Sequence, residues 1–137
     1  MRAAGFSLAE ALVDADPSCR EDATPIRLDG SALDRARQFL DAETTRVIQS
    51  SELERVTGLT RYDLARQFRA AFGTSPYRYS LMRRLDYARV ELDRNRSLAD
   101  VALAAGFADQ AHLWRMFKYA FGVTPARYRA LEANRTL

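Results

Sequence analysis

The strongest constraint on this chain is that it contains one segment twice. Displaced by 49 positions, LARQFRAAFGTSPYRY (Leu64 to Tyr79) falls on LWRMFKYAFGVTPARY (Leu113 to Tyr128), and nine of the sixteen aligned pairs are identical. They are Leu64/Leu113, Arg66/Arg115, Phe68/Phe117, Ala71/Ala120, Phe72/Phe121, Gly73/Gly122, Pro76/Pro125, Arg78/Arg127 and Tyr79/Tyr128. Arg69/Lys118 and Ser75/Thr124 are conservative pairs. Upstream, Gly58-Leu59 aligns with Gly106-Phe107 at a displacement of 48, so one turn holds one residue more than the other. A match this dense marks two copies of one supersecondary unit.

Each copy predicts the same local structure. Leu64, Phe68, Ala71 and Phe72 recur at helical period and predict one buried stripe. Thr60 is the expected N-cap, with Asp63 in a capping-box-like position, while Gly73 closes the helix and Pro76 opens the next. In the second copy Asp109 caps, Leu113, Phe117, Ala120 and Phe121 form the stripe, and Gly122 and Pro125 stop and restart the chain. A shorter helix precedes each, Ser51 to Thr57 before Gly58 and Leu98 to Ala105 before Gly106, the latter with Ser97 as cap. A short helix, a turn containing Gly and a longer helix make a helix-turn-helix.

Pro76 to about Arg94 contains no internal Gly or Pro and predicts a connector helix of roughly 28 Å. That is close to the approximately 34 Å between successive major-groove faces of B-DNA. Leu33, Ala36, Leu40 and Val47 predict a leading helix from about Ser31 to Thr44. Residues 1–30 read as a leader or linker with a short helix from Ser7 to Val13, too small for an effector-binding domain of its own. The expected fold is all-α: two tandem helix-turn-helix subdomains within 31–137, joined by a long connector helix, about seven helices in all.

Charge and chemistry narrow the function. Residues 1–58 hold 7 Arg against 11 Asp and Glu, whereas residues 59–137 hold 14 Lys and Arg against 7 acids, so −4 faces +7. A basic half suits a polyanion, since each neutralised phosphate releases condensed counterions. Of the 21 basic residues only Lys118 is lysine, and guanidinium forks favour bidentate contact with phosphate or guanine. A single His excludes a multi-histidine metal site, and a single Cys, Cys19, excludes both a cysteine zinc cluster and an intramolecular disulfide. The chain has neither a nucleophile elbow nor a phosphate-cradling Gly loop. No catalytic residue, metal or cofactor is expected. Without a secretory signal or an apolar run near the roughly 18–20 residues of a membrane span, a cytoplasmic location is expected and no membrane partner. Two binding readings stay open: double-stranded DNA, or another protein.

The chain from about Leu33 to Arg129 resembles the AraC/XylS family of bacterial transcription regulators. The match is strongest at GFADQAHLWRMFKYAFGVTPARYR (Gly106 to Arg129), with SLADVALAAGF leading in. GLTRYDLARQFRAAFGTSPYRY (Gly58 to Tyr79) and LMRRLDYARVELDR (Leu81 to Arg94) fit the first half. The resemblance implies seven helices with the third and sixth inserted into neighbouring major grooves. It also implies RNA polymerase as a partner if the protein is an activator. Many members carry an upstream effector-binding or dimerisation domain, for which this leader has no room, so the chain is expected to be either a piece of a longer protein or a stand-alone member with a short leader. Oligomeric state stays open, because two units in one chain suffice for a monomer to occupy an asymmetric site.

Opposite the apolar stripes lie Arg61, Tyr62, Ala65, Arg66 and Arg69 on the first recognition helix. The second presents Gln110, Ala111, Trp114, Arg115 and Lys118, with His112 near the edge. The resemblance places Tyr62, Ala65 and Arg66, then Gln110, Ala111 and Arg115, nearest the bases. Their chemistry agrees in part: Arg pairs bidentately with guanine, Gln with adenine, and Ala meets a thymine methyl. Thr60, Arg61, Arg69 and Lys118 suit phosphate, which fixes register without reading sequence. Arg78 and Arg127 suit either phosphate or a structural role. A shared salt bridge would also explain Arg66 and Arg115, packing against a neighbouring helix would explain Tyr62 and Trp114, and capping or packing would explain His112.

Overall fold

The computed structural model describes residues 26–135; the short helix expected from Ser7 to Val13 lies outside them. Seven helices follow in order: α1 Gly30–Ala42, α2 Ser50–Thr57, α3 Arg61–Phe72, α4 Pro76–Asp93, α5 Leu98–Ala104, α6 Gln110–Phe121 and α7 Pro125–Arg135. No strand occurs among the described residues.

Side-chain caps set most of the boundaries. Thr60, Ser75, Ser97 and Asp109 each accept a hydrogen bond from the backbone N–H three residues on, opening α3, α4, α5 and α6. Each such cap is worth about 1 kcal/mol against alanine. The leading helix ends at Ala42, short of the expected Thr44, and leaves Val47 exposed in the loop beyond it, whereas the two starts that slip are each explained by another cap. Asp29 Oδ1 accepts from Ala32 N–H at 3.0 Å and starts α1 ahead of Ser31. Gln49 and Glu52 form a reciprocal capping box that starts α2 at Ser50. The connector α4 runs 18 residues, or about 27 Å.

Two hydrophobic cores form, and α4 is no mere link between them. Leu33, Ala36 and Leu40 of α1 pack with Leu53, Leu64 and Phe68 in the first core. Leu81, Leu85, Ala88 and Leu92 of α4 pack with Val101, Ala102, Phe107, Leu113, Phe117 and Ala120 in the second. So α4 does for α5 and α6 what α1 does for α2 and α3. The repeat accordingly extends further upstream than the first alignment reaches. Shifted by 52, Leu33–Asp41 falls on Leu85–Asp93 with six of nine positions identical: Leu33/Leu85, Asp34/Asp86, Ala36/Ala88, Arg37/Arg89, Leu40/Leu92 and Asp41/Asp93.

The duplicated contacts match. Tyr79 Oη donates to Asp41 at 2.6 Å, and Tyr128 Oη to Asp93 at 3.3 Å, so each unit clasps its first helix to the helix that follows its third. Phe68 and Phe72 lie with ring centroids 4.6 Å apart, as do Phe117 and Phe121. One expected match fails: Ala71, placed on the buried stripe by its spacing, is exposed, whereas Ala120 is fully buried. Helical period fixes the face of a helix, not how far its neighbours cover it.

The two units also touch directly. The α1–α2 loop spans seven residues, 43–49, against four, 94–97, between α4 and α5. This longer loop lays the backbone of Thr45 and Arg46 against the turn of the second unit at Gly106. A Cβ there would lie 2.6 Å from Thr45 O and 2.9 Å from Arg46 Cα, and φ is +82°. Arg46 staples the loop, bonding Glu43 and Glu52 at 2.8 Å each. Its guanidinium holds the Glu52 carboxyl down at about 2, chiefly through that hydrogen bond.

Candidate nucleic-acid interface

The geometry that presents α3 and α6 follows from short turns pinned by arginines. Gly58 closes α2 in the left-handed region at φ +77°, and Thr60 opens α3 two residues later. Arg35 of α1 donates from Nε and Nη2 to the carbonyls of Val56 and Thr57, orphan acceptors at the end of α2. In the second unit Arg84 of α4 donates likewise to Ala105 O at 3.1 Å and Gly106 O at 2.7 Å, with its guanidinium 4.3 Å from the Phe107 ring centroid. Burial lowers the pKa of Arg84 from the usual arginine value. Reading the sequence singles out neither arginine, since they come from non-equivalent positions of their helices.

The candidate residues of α3 lie in a mixed setting. Arg61 is exposed, its backbone N–H donating to Glu54 Oε2 at 2.7 Å and its guanidinium 3.5 Å from the same oxygen. Tyr62 is 55% exposed, and Arg66 reaches over its ring at 5.7 Å. Arg66 is half-buried and 3.9 Å from Asp63. Ala65 and Arg69 are half-buried, and Thr60 is exposed with its Oγ1 accepting the capping bond.

The candidates of α6 stand further out. Gln110, Ala111, Trp114, Arg115 and Lys118 are all exposed, with Lys118 Nζ 5.4 Å from the Trp114 ring. Arg115 makes no ion pair with any described residue. The difference from Arg66 has a local cause: the position equivalent to Asp63 is His112, so α6 offers no carboxylate three residues back. His112 itself turns inward, edge-on to Phe107 at 5.3 Å, with Nδ1 accepting from Ala108 N–H at 3.5 Å. Of the roles open to it, capping and packing have the geometry. Arg78 is only 9% exposed and donates to Thr74 Oγ1 at 3.0 Å, which favours its structural role over phosphate contact. Arg127 is exposed.

Other sites are scarce. Among the described residues no group of three or more His, Cys, Asp or Glu could hold a metal ion. No helix among them is long and apolar enough to cross a membrane.

Two trihelical units in tandem, each presenting its third helix, define a helix-turn-helix protein, and residues 53–131 match the family model described as a helix-turn-helix domain. The solved structure of an AraC-type regulator from Chromobacterium violaceum overlays with a TM-score of 0.69 at 28% identity, covering 76% of this chain and 94% of that one. The DNA-binding domain of AdpA, solved in complex with a target DNA, gives a TM-score of 0.70 at 24% identity over 76% of this chain and 95% of that one. The HTH-type transcriptional regulator ExsA of Pseudomonas aeruginosa is 27% identical over 104 residues, 75% of this chain. The chain spans 37% of the length of that curated relative. The chain belongs to the AraC/XylS family.

Proposed function

We propose that this chain is a sequence-specific double-stranded DNA-binding transcription regulator, with α3 and α6 entering successive major grooves. The observation that carries this reading is the duplication itself: one three-helix unit built twice, each time with a polar face of its third helix left exposed. The description of ExsA as a transcriptional regulator, and of the AdpA domain as DNA-bound, supports it.

In this reading Tyr62, Ala65 and Arg66 face one set of bases and Gln110, Ala111 and Arg115 the other. Exposed Arg115 supplies a free fork for guanine O6 and N7, Gln110 suits adenine, and the alanines suit thymine methyls. Thr60, Arg61, Arg69, Lys118 and Arg127 hold phosphates and set the register. Trp114 flanks the groove beneath Lys118. The protein works by binding rather than catalysis, in the cytoplasm, with RNA polymerase as a second partner if it activates. One chain suffices for an asymmetric site.

Selection of bound duplexes from fragmented host DNA, followed by anisotropy titration of the winner across salt concentrations, tests this. Two short sequence blocks about one helical turn apart and a steep salt slope are expected. Weak binding indifferent to sequence would overturn the reading. The protein-docking alternative is separated by Arg115→Glu with Lys118→Glu, which abolishes DNA binding only if α6 faces DNA.

A further inference from the structure

A hollow of about 500 Å³ lies beside the first recognition helix, between α2, α3 and the start of α4. Its volume falls in the roughly 300–1,000 Å³ range of small-molecule sites. The floor is apolar, formed by Leu40, Ile48, Leu53 and Leu64, and exposed Tyr62 and Tyr77 flank it. Two of the lining residues are arginines and none is acidic. Arg84 is only 4% exposed, yet no carboxylate among the described residues pairs with it. Nε and Nη2 are spent on the carbonyls of Ala105 and Gly106, and Nη1 makes no hydrogen bond to any described residue. The two carbonyls and the face of the Phe107 ring, 4.3 Å from the guanidinium, offset part of the cost of burying a group that stays charged at any physiological pH, and an anion would supply the counter-charge that they do not.

We infer that this hollow binds an amphipathic organic anion, a single carboxylate or sulfonate on an apolar body, with Arg84 as its counter-charge. The apolar body fills the floor that leucines and Ile48 provide, and the anionic end meets the unspent N–H donors of Arg84. A DNA phosphate is the competing occupant, but a phosphodiester brings no apolar surface to match that floor. Tyr62, Ala65 and Arg61 line the hollow from α3, so an occupant repositions the residues proposed to face DNA. Ligand binding stands independently of the DNA reading, whereas this coupling rests on it.

The test uses two dyes that differ by one group: 8-anilinonaphthalene-1-sulfonate and its uncharged parent, N-phenyl-1-naphthylamine. The sulfonate is expected to bind the free protein saturably at one site, at least tenfold tighter than the parent. Decanoate should displace it and acetate should not. Arg84→Met should erase the preference for the anion. Because that change also removes two structural hydrogen bonds, Ser80→Phe provides the second variant. It fills the hollow from α4, leaves Arg84 intact, and should weaken the dye at least tenfold while thermal unfolding stays cooperative. Equal affinity for the two dyes, displacement by acetate, or unchanged binding in folded Ser80→Phe would overturn the proposal. So would an Arg84→Met protein that loses DNA affinity but keeps the dye, which would assign the arginine to a phosphate. With a selected duplex in hand, saturating dye should shift DNA affinity several-fold. No shift would overturn the coupling and leave the ligand site standing.

Discussion

Replacing Gly106 by alanine tests whether the two units are held in register by direct contact. Two costs add at this position. Its φ of +82° is a region L-residues adopt at about 1–2 kcal/mol. The new methyl would also sit 2.6 Å from Thr45 O, so the loop must retreat about 0.8 Å to reach the 3.4 Å of ordinary contact. The loop is not free to do so, because Arg46 ties it to Glu43 and Glu52. Overpacking of this kind costs about 1–3 kcal/mol. Gly58 is the internal control: its φ is +77° and nothing lies within 4 Å of its Cβ position, so Gly58→Ala carries the backbone cost alone. Urea denaturation should therefore place Gly106→Ala about 1–3 kcal/mol below Gly58→Ala. In DNA binding, Gly106→Ala should lose more affinity for a complete two-block site than for either block alone. Equal destabilisation by the two substitutions would refute the argument that the loop is a fixed stop.

Arg115→Ala should cost about 1–3 kcal/mol in binding and relax base preference at one position, whereas Lys118→Ala should weaken all sequences alike and lower the salt slope by about one. Competition titrations against specific and random duplexes distinguish them. Phe117, fully buried, should cost about 3–5 kcal/mol of stability on truncation to alanine, read by chemical denaturation, and lose DNA binding only through unfolding. The Glu52 carboxyl is lowered in the fold from 4.5 to about 2, so its ion pair with Arg46 stabilises fully above the unfolded value and is lost as pH falls towards 2. The melting-temperature gap between the native protein and Glu52→Gln should accordingly be largest near neutrality and close across that window. A gap constant with pH would mean that the pair is not the cause.

The helices were legible wherever a cap or a glycine stop marks them, as at Thr60, Ser97, Asp109, Gly73 and Gly122. The start of α1 was not, because Asp29 and Ser31 are both good caps and only the folded chain selects one. The upstream copy of the repeat is hidden in the sequence for a related reason. The three extra loop residues between α1 and α2, with one more helical residue, Ala42, at the end of α1, change the displacement from 52 to 48, so no single shift aligns both parts. The candidate interface was readable as two faces of two helices, but not in its asymmetry. Arg66 and Arg115 align in sequence, yet Asp63 draws one down while His112 turns away from the other. The paired role of Arg35 and Arg84 was invisible because the two occupy different positions in their helices and act on carbonyls, which carry no sequence signature.

The sharing of α4 has a consequence for how the molecule tolerates change in its target. A helix whose leucines are part of one core, and whose first turn is clasped into the other unit, cannot act as a tether with slack. Each inserted base pair turns the far groove by about 34–36° around the duplex axis. A protein with a pliable joint would follow that rotation at modest cost; this one would have to break a core or lift a loop off Gly106. If α3 and α6 read successive grooves as proposed, the separation between the two blocks of an operator is as much a determinant of recognition as the bases within them.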